Sequence, residues 1–442
     1  MTTKPCTQSP ARPLTTPLVA VPAGALLGVA AGWAMWQLPL LSTYPAWAPL
    51  AAALASLVIL LIGLLNYDLL VLIAFSTVGF VWLEPAPFDV LLVVVLGLGL
   101  LNGRLRWPSS KRSVLVHIGL WGLVVINLLS GVVLVPMRNL RFLAITLYVL
   151  ALFCFVRMYV VDRHSARTVL TGYLASAVLN VLAVFLGLAG VNLPIPVVRF
   201  STRGAGFFKD PNVYGPFVLL AALWVADQFI NRSLSMARTG ALLLLTGLLG
   251  AGAMLSMSRA VWINLAFSGL LYVAFLLRRA PGTDTARFSV LVVTVVLIAL
   301  LALELSGLDQ VVRRPWDVYD YDYRRLAIQK RGIEAALTHP IGVGPGGWPN
   351  AHSLYVRTLA EHGVLGLGSL ALLIGGLAFP LAHRAWEERH NEGLLSSAVL
   401  VASIGGQLIN SLVIDSIHWR HLWILLGLAW SALETQAVQE KR

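Results

Sequence analysis

Residues 113–135 read SVLVHIGLWGLVVINLLSGVVLV, a run without a single Asp, Glu, Lys or Arg. As a helix, a stretch of this length matches the hydrocarbon core of a bilayer, which about 20 apolar residues span. Comparable apolar runs recur along most of the chain. The pattern predicts an all-α, polytopic integral membrane protein.

The overall composition supports the same class. Of 442 residues, 58% are hydrophobic and only 12% are charged, and the mean hydropathy is +0.80. Soluble domains carry about 25% charged residues. An ordinary soluble globular protein is therefore excluded.

Fourteen apolar segments are candidate membrane spans. They are residues 18–35, 46–64, 67–83, 88–103, 113–135, 139–160, 165–190, 213–231, 236–256, 259–279, 286–306, 363–385, 394–414 and 419–435. The third and fourth are short and could form a re-entrant pair, so we expect about twelve, and up to fourteen, transmembrane helices. Either number is even, which places both termini on one side of the membrane.

The net charge of +12 does not indicate a nucleic-acid partner, because most Lys and Arg residues lie in short segments between the spans. Basic loops of this kind face the cytoplasm. These segments are residues 102–112, 156–167, 231–238, 277–287 and 382–390. We therefore expect a multi-pass membrane protein whose basic loops face the cytoplasm and whose longer loops face the opposite side, with membrane lipids as its surroundings.

The division of the chain follows from these spans. We assign residues 1–17 to a cytoplasmic tail and uncleaved anchor, 18–190 to N-terminal spans, 191–306 to spans with periplasmic arginine motifs, 307–362 to a periplasmic catalytic loop, and 363–442 to C-terminal spans with a cytoplasmic tail. The region 307–362 is the one long helical loop. Long structured loops usually carry function.

An anion site is suggested at the start of one span. Arg203 and Lys209 precede Asp210, a favourable N-cap, and Pro211, which suits the first helical position. Cationic side chains beside a helix N-terminus can bind an anion. The alternative is a basic loop that contacts lipid phosphates.

Two further arginine positions are expected on the same side. Arg259 lies between two apolar stretches with almost no loop, and Arg324 and Arg325 precede or open an amphipathic helix near 324–337. A guanidinium within the membrane carries a high free-energy cost unless it lines a water-filled cavity or pairs with an acidic group. Arg259 could instead snorkel to the interface at a tight turn.

The loop also contains an Asp-x-Asp pair, Asp320 and Asp322, which is a weak indication of a divalent ion. Pairing of these carboxylates with neighbouring arginines is the alternative, and we expect no metal. The candidate partners are Arg313, Arg314, Arg324 and Arg325.

His352 is the candidate general base. The turn-rich segment before it predicts a helix start near Asn350 or Ala351, so that His352 stands in the first turn. The positive end of the helix dipole there disfavours a charged imidazole, and a neutral one can accept a proton. His362 stands at the end of a turn, where a cation is better tolerated. A structural role for His352 remains the alternative.

Taken together, these residues resemble the signature of the O-antigen ligase family and its relatives, the O-antigen polymerases and bacterial O-linked oligosaccharyltransferases. The matching positions are Arg203, Gly206, residues 210–212, Ser258, Arg259, Arg325, His339, Pro340, Gly342, Gly344, His352, Tyr355, Glu361 and Gly363. The resemblance covers about residues 200–365, with Ser353 standing where Asn is common.

The resemblance implies a GT-C-like, lipid-dependent glycosyltransferase that needs no cofactor. It also implies a location in the bacterial inner membrane, with the active site facing the periplasm. The donor would be O-antigen on undecaprenyl diphosphate, and the acceptor a sugar hydroxyl of lipid A–core. It implies catalysis by His352, Arg203 and Arg259, with Arg325, Lys209 and Tyr355 also binding the diphosphate. An O-antigen polymerase with the same donor, or a transporter of the lipid-linked glycan, remains open.

Overall fold

A computed structural model describes residues 48–107, 113–134, 140–199, 202–231, 235–279, 289, 320–348, 351–387 and 396–439. Within these ranges the regular secondary structure is helical apart from one two-stranded hairpin. The predicted tail 1–17 and spans 18–35 and 286–306 lie outside the described residues, apart from Ser289. The described part therefore confirms an all-α polytopic architecture but does not test the number of spans.

The helices follow the predicted segments closely. They are α1 Ala48–Leu65, α2 Tyr67–Ser76, α3 Pro87–Leu101, α4 Val114–Leu134, α5 Leu140–Tyr159, α6 Arg163–Leu188, α7 Pro211–Asn231, α8 Met236–Met254, α9 Arg259–Arg279, α10 Asp320–Thr338, α11 Leu354–Glu387, α12 Ser397–Asn410 and α13 Arg420–Gln439. The hairpin strands are β1 Val198–Arg199 and β2 Arg203–Gly204, and they pair antiparallel.

Seven of the described helices are long and apolar enough to cross a membrane: α4, α5, α6, α7, α8, α9 and α11. In contrast, α2 has 10 residues where a span of 67–83 was predicted. At 1.5 Å per residue it covers about 15 Å, half of a bilayer core. The helix ends at Ser76 and a turn follows, so it is shorter than the predicted bounds 67–83 and agrees with the expectation that the third segment is short.

Small residues set the contact between α4 and α11. A methyl group added at Gly119 would overlap the backbone of Leu373, and one at Gly122 would overlap Ser369. In membranes, small residues allow helix backbones to approach closely and so gain dispersion contacts. This contact fixes the part of α11 that follows Gly363 against α4.

Short connections make consecutive helices run in alternating directions. We call the end of the bundle where α7, α9 and α11 begin the site end. The hairpin β1–β2 also lies there, because the Gly204 N–H donates to the Leu255 carbonyl at the end of α8 (2.8 Å). The described parts of the predicted basic loops join helices at the opposite end.

Gly363 breaks α11 with φ 65° and ψ −166°, a conformation that essentially only glycine adopts. A Cβ there would overlap the Pro340 carbonyl. We expect Gly363→Ala to lower the free energy of unfolding by at least ~1–3 kcal/mol, measured as thermal unfolding in detergent. Gly368→Ala, in the same helix with no atom within 4 Å of the added methyl, is the matched control. Equal melting temperatures for both variants would contradict this assignment.

Candidate functional site

Arg203 on β2 is fixed by two helix boundaries. Its Nε donates to the Ser256 carbonyl (3.2 Å) and its Nη2 donates to Asn212 Oδ1 (3.0 Å). Asn212 also accepts from the Ser258 hydroxyl (2.7 Å). The predicted helix start is confirmed: α7 begins at Pro211, and Asp210 caps it by accepting from the Asn212 N–H (2.8 Å).

Arg259 opens α9 directly after the four-residue junction that follows α8, as the sequence predicts. Its guanidinium donates to both carboxylate oxygens of Asp322 (2.8 Å each) and to the Tyr321 hydroxyl (3.1 Å). Both partners lie in the first turn of α10. Arg259 therefore ties a membrane helix to the amphipathic helix beside it.

One of the two aspartates considered for a metal pairs with an arginine instead. Asp322 pairs with Arg259, which was not among the predicted partners. Among the described residues, no group of three or more His, Cys, Asp and Glu side chains is arranged to hold a metal ion. The helix also begins at Asp320, four residues before the predicted start near 324. Arg324 and Arg325 consequently lie in its second turn.

The arginines converge on one pocket of about 670 Å³, which we call the arginine pocket. Its polar lining consists of Arg203, Arg259, Arg325, Asn212, Tyr321 and Asp322, along with Ser258. Three guanidiniums and one carboxylate leave a formal excess of two positive charges. The remaining wall includes Ile263, Val413 and Ile414, so a cationic cavity adjoins apolar surface.

His352 does not stand in a helix turn as predicted. Helix α11 begins at Leu354, and His352 precedes the cap residue Ser353 with φ 49°. The prediction placed the helix start three or four residues too early. A non-glycine residue at positive φ is uncommon and indicates that its surroundings fix the backbone. Here Gln329 of α10 donates to the His352 carbonyl (3.1 Å).

The electrostatic surroundings of His352 favour the neutral imidazole. Partial burial lowers its pKa below the ordinary value, and the nearby charge of Arg325 lowers it further. Asp415 and Asp210 act in the opposite direction. His352 is not among the residues that line the arginine pocket, but the charge of Arg325, which does line it, acts on the imidazole, and a neutral imidazole can accept a proton.

A buried cluster of charged side chains lies next to the segment that contains His352. Arg357, with 5% of its side chain exposed, pairs with Glu361 (Nε to Oε1, 3.1 Å) and with Asp415. Glu361 also accepts from the Trp348 N–H (3.1 Å). The cluster thus holds the Gly-rich loop before His352 against α11 and fixes the carboxylate of Asp415.

Three other candidate side chains are engaged elsewhere. Lys209 pairs with Glu84, and the Tyr355 hydroxyl donates to the Leu408 carbonyl (2.9 Å). Neither Lys209 nor Tyr355 is among the residues that line the arginine pocket. His362 is buried, with its Nδ1 3.2 Å from the Ser130 hydroxyl.

Sequence reasoning missed the residues that hold the arginines. Tyr321 had no assigned role, and Asp322 was considered only as a metal ligand or a partner of nearer arginines. Asp415 had one available signal, since it is the lone acidic residue between the apolar runs of α12 and α13. Its pairing with Arg357, 58 positions earlier, could not be read from spacing.

The site can bind a doubly charged anion and remove a proton from a nearby hydroxyl. Residues 241–371 match the family model described as O-antigen ligase. The matched segment includes Arg259, Arg325 and His352, while Arg203 lies outside it. No curated protein matches the chain significantly.

Proposed function

The chain carries a domain of the O-antigen ligase family in residues 241–371, and from that premise we propose that it is an O-antigen ligase. The donor is polysaccharide on undecaprenyl diphosphate, and the acceptor is a sugar hydroxyl of lipid A–core. The single observation that carries the proposal is the convergence of Arg203, Arg259 and Arg325 on one pocket, and the charge of Arg325 also favours the neutral imidazole of His352.

The proposed step is a single displacement. The acceptor oxygen forms a bond to C1 of the donor sugar while the C1–O bond to the diphosphate breaks. The lipid diphosphate leaves with the electron pair, and His352 takes the proton of the attacking hydroxyl. Direct attack by one nucleophile inverts the configuration at C1.

The arginines act on the leaving group. Negative charge grows on the bridging oxygen as the C1–O bond breaks, so preorganised guanidiniums stabilise the transition state more than the bound donor. Planar guanidiniums also suit bidentate contacts with phosphate oxygens. A diphosphate is already a stable anion when it leaves, so a general acid is not obligatory.

The position of the site fits the proposed topology. The basic segments gather at the opposite end of the bundle, and basic loops face the cytoplasm. The site end is then periplasmic. The pocket opens where a lipid diphosphate headgroup would stand at the outer leaflet, with its polyprenyl chain against the exposed apolar side chains below, such as Ile263 and Leu270.

Reconstitution tests the proposal. The full-length protein in liposomes receives defined carrier-linked polysaccharide and lipid A–core, and the products are separated by gel and mass spectrometry. Polysaccharide on lipid A–core supports a ligase. Longer chains that remain on the carrier would indicate a polymerase, and movement of donor across the bilayer without a new glycosidic bond would indicate a transporter.

Chelation gives an independent prediction. If arginines neutralise the diphosphate, transfer should persist within about twofold in excess EDTA, because guanidinium charge replaces the role that Mg²⁺ plays at other phosphate sites. Initial rates with and without EDTA measure this. Strong inhibition that Mg²⁺ reverses would assign Asp320 and Asp322 to a metal instead.

A further inference from the structure

A second pocket of about 520 Å³ adjoins the arginine pocket at the site end. The two share the start of α7, because Asn212 lines the first and Val213 lines the second. Its volume lies within the range of about 300–1,000 Å³ typical of small-molecule sites. The helices that surround it include α3, α5, α7 and α13.

One wall of this second pocket is polar. Asp89 at the start of α3 accepts two hydrogen bonds from Arg420 Nη2 (2.6 and 2.8 Å) and one from the Tyr148 hydroxyl (2.6 Å). Arg420 Nε also donates to Tyr148 (3.3 Å). A carboxylate offers about four lone-pair sites, and the Ala86 N–H supplies the fourth hydrogen bond to Asp89 (2.9 Å), so this carboxylate is satisfied within the protein and fixes the polar wall.

A buried histidine adds a polar group without a partner. His421 lines the second pocket, is 2% exposed, and its Nε2 makes no hydrogen bond within the described residues. Nearby, His418 Nε2 lies 3.0 Å from the Thr146 hydroxyl. Buried polar atoms without partners carry a free-energy cost unless a ligand or water satisfies them.

The charge of the lining selects the ligand class. Arg420 pairs with Asp89, and Glu84 pairs with Lys209, so the charges at this pocket balance when the histidines are neutral. A neutral lining offers no excess positive charge to a phosphate and contrasts with the cationic arginine pocket. An acyl chain would in turn leave the Nε2 atom of His421 without a polar partner. An uncharged ligand rich in hydroxyl groups satisfies both constraints.

The aromatic surface of the pocket points the same way. Tyr148 and Trp419 line it together with apolar side chains such as Ile145 and Phe208. A pyranose presents a C–H face to such surfaces and hydroxyls at its edge to phenol and imidazole groups. Tyr and Trp side chains suit such a ring because each combines an apolar face with a polar group that can form a hydrogen bond.

We propose that the second pocket is a saccharide subsite that holds an uncharged pyranose beside the arginine pocket. The inference rests on the proposed function, since glycan transfer requires a sugar within reach of the diphosphate. Two sources supply such a ring: the core oligosaccharide of the acceptor and the repeat units of the donor glycan.

Binding without transfer tests the subsite. The probes are core oligosaccharide freed of lipid A, and O-polysaccharide repeat units freed of carrier, titrated calorimetrically into the full-length protein in nanodiscs. Ile145→Trp fills the pocket while leaving its polar wall in place, and Asp89→Asn alters that wall. Ile118→Trp makes the same change on α4 at a side chain that is 52% exposed and away from the pocket.

We expect one probe to bind wild type and Ile118→Trp equally, and to bind Ile145→Trp and Asp89→Asn about tenfold more weakly or worse. The probe that shows this loss identifies the source as acceptor or donor. Equal affinity in wild type and Ile145→Trp, or no binding of either probe to wild type, would overturn the subsite. Wild type that binds a probe but transfers no glycan would refute the ligase proposal alone.

Discussion

Replacing His352 with alanine is expected to lower the rate of glycan transfer by about 10²–10⁴-fold, the usual contribution of a positioned general base. The imidazole stands beside Arg325, where a neutral ring can take a proton from the attacking hydroxyl. Binding of the carrier should change little, because the arginines remain. Single-turnover rates with saturating donor measure the chemical step.

The pH profile separates this role from a structural one. The pKa of His352 lies below its ordinary value, so the ring is mostly neutral at pH 7 and gains a proton only as the pH falls further. The wild-type rate should therefore fall on the acid side of that pKa and reach a plateau above it. His352→Ala should lose this acid limb.

His339→Ala is the matched control for His352. His339 is exposed at the end of α10, where its ring contacts Thr338 and the Ala335 carbonyl. It should retain both the rate and the pH profile of wild type. Wild-type turnover in His352→Ala, or the same acid limb in that variant, would remove His352 from the mechanism.

The sequence predicts the membrane helices well where charged residues bound an apolar run. Helix α9 occupies 259–279 as predicted, since Arg259 begins it and Arg278 and Arg279 end it. Helix α2 was expected to be short, but its end at Ser76 comes before the predicted bound at residue 83, because hydropathy continues past Ser76 whereas the backbone turns there. The hydropathy of a segment indicates that it is buried or in contact with lipid. It does not indicate where a turn interrupts the helix.

The three arginines that line the pocket were predictable from the sequence, but their pairing was not. The sequence indicated that Arg203, Arg259 and Arg325 would share one side, because each stands at a span end or in the outer loop. It did not indicate that Asp322 would hold Arg259, 63 positions away. Such pairings depend on how helices pack. Lys209 and Tyr355 illustrate the same limit, because their neighbours in the fold engage them outside the pocket.

Replacing Arg259 with alanine is expected to lower the transfer rate by about 10²–10³-fold, or roughly 2.7–4 kcal/mol of transition-state stabilisation, as when one donor is removed from other anion-stabilising sites. The loss should appear mainly in kcat, because the charge that Arg259 meets grows as the C1–O bond breaks. Steady-state kinetics in proteoliposomes give kcat and KM separately. Arg324→Ala removes the same charge from an exposed position next to Arg325 and should leave both constants near wild type.

Asp322→Asn distinguishes two roles of Arg259: binding the diphosphate, or holding α10 against α9. Both this variant and Arg259→Ala break the same ion pair between α9 and α10, but only Arg259→Ala removes the guanidinium. A partly exposed pair of this kind contributes about 0–1 kcal/mol to stability, so its loss alone cannot account for a hundredfold change in rate. If Arg259 acts on the diphosphate, Asp322→Asn should keep most of the wild-type kcat. Equal losses of kcat in the two variants would mean that Arg259 serves to hold α10, and the diphosphate would then have to be bound by Arg203 and Arg325 alone.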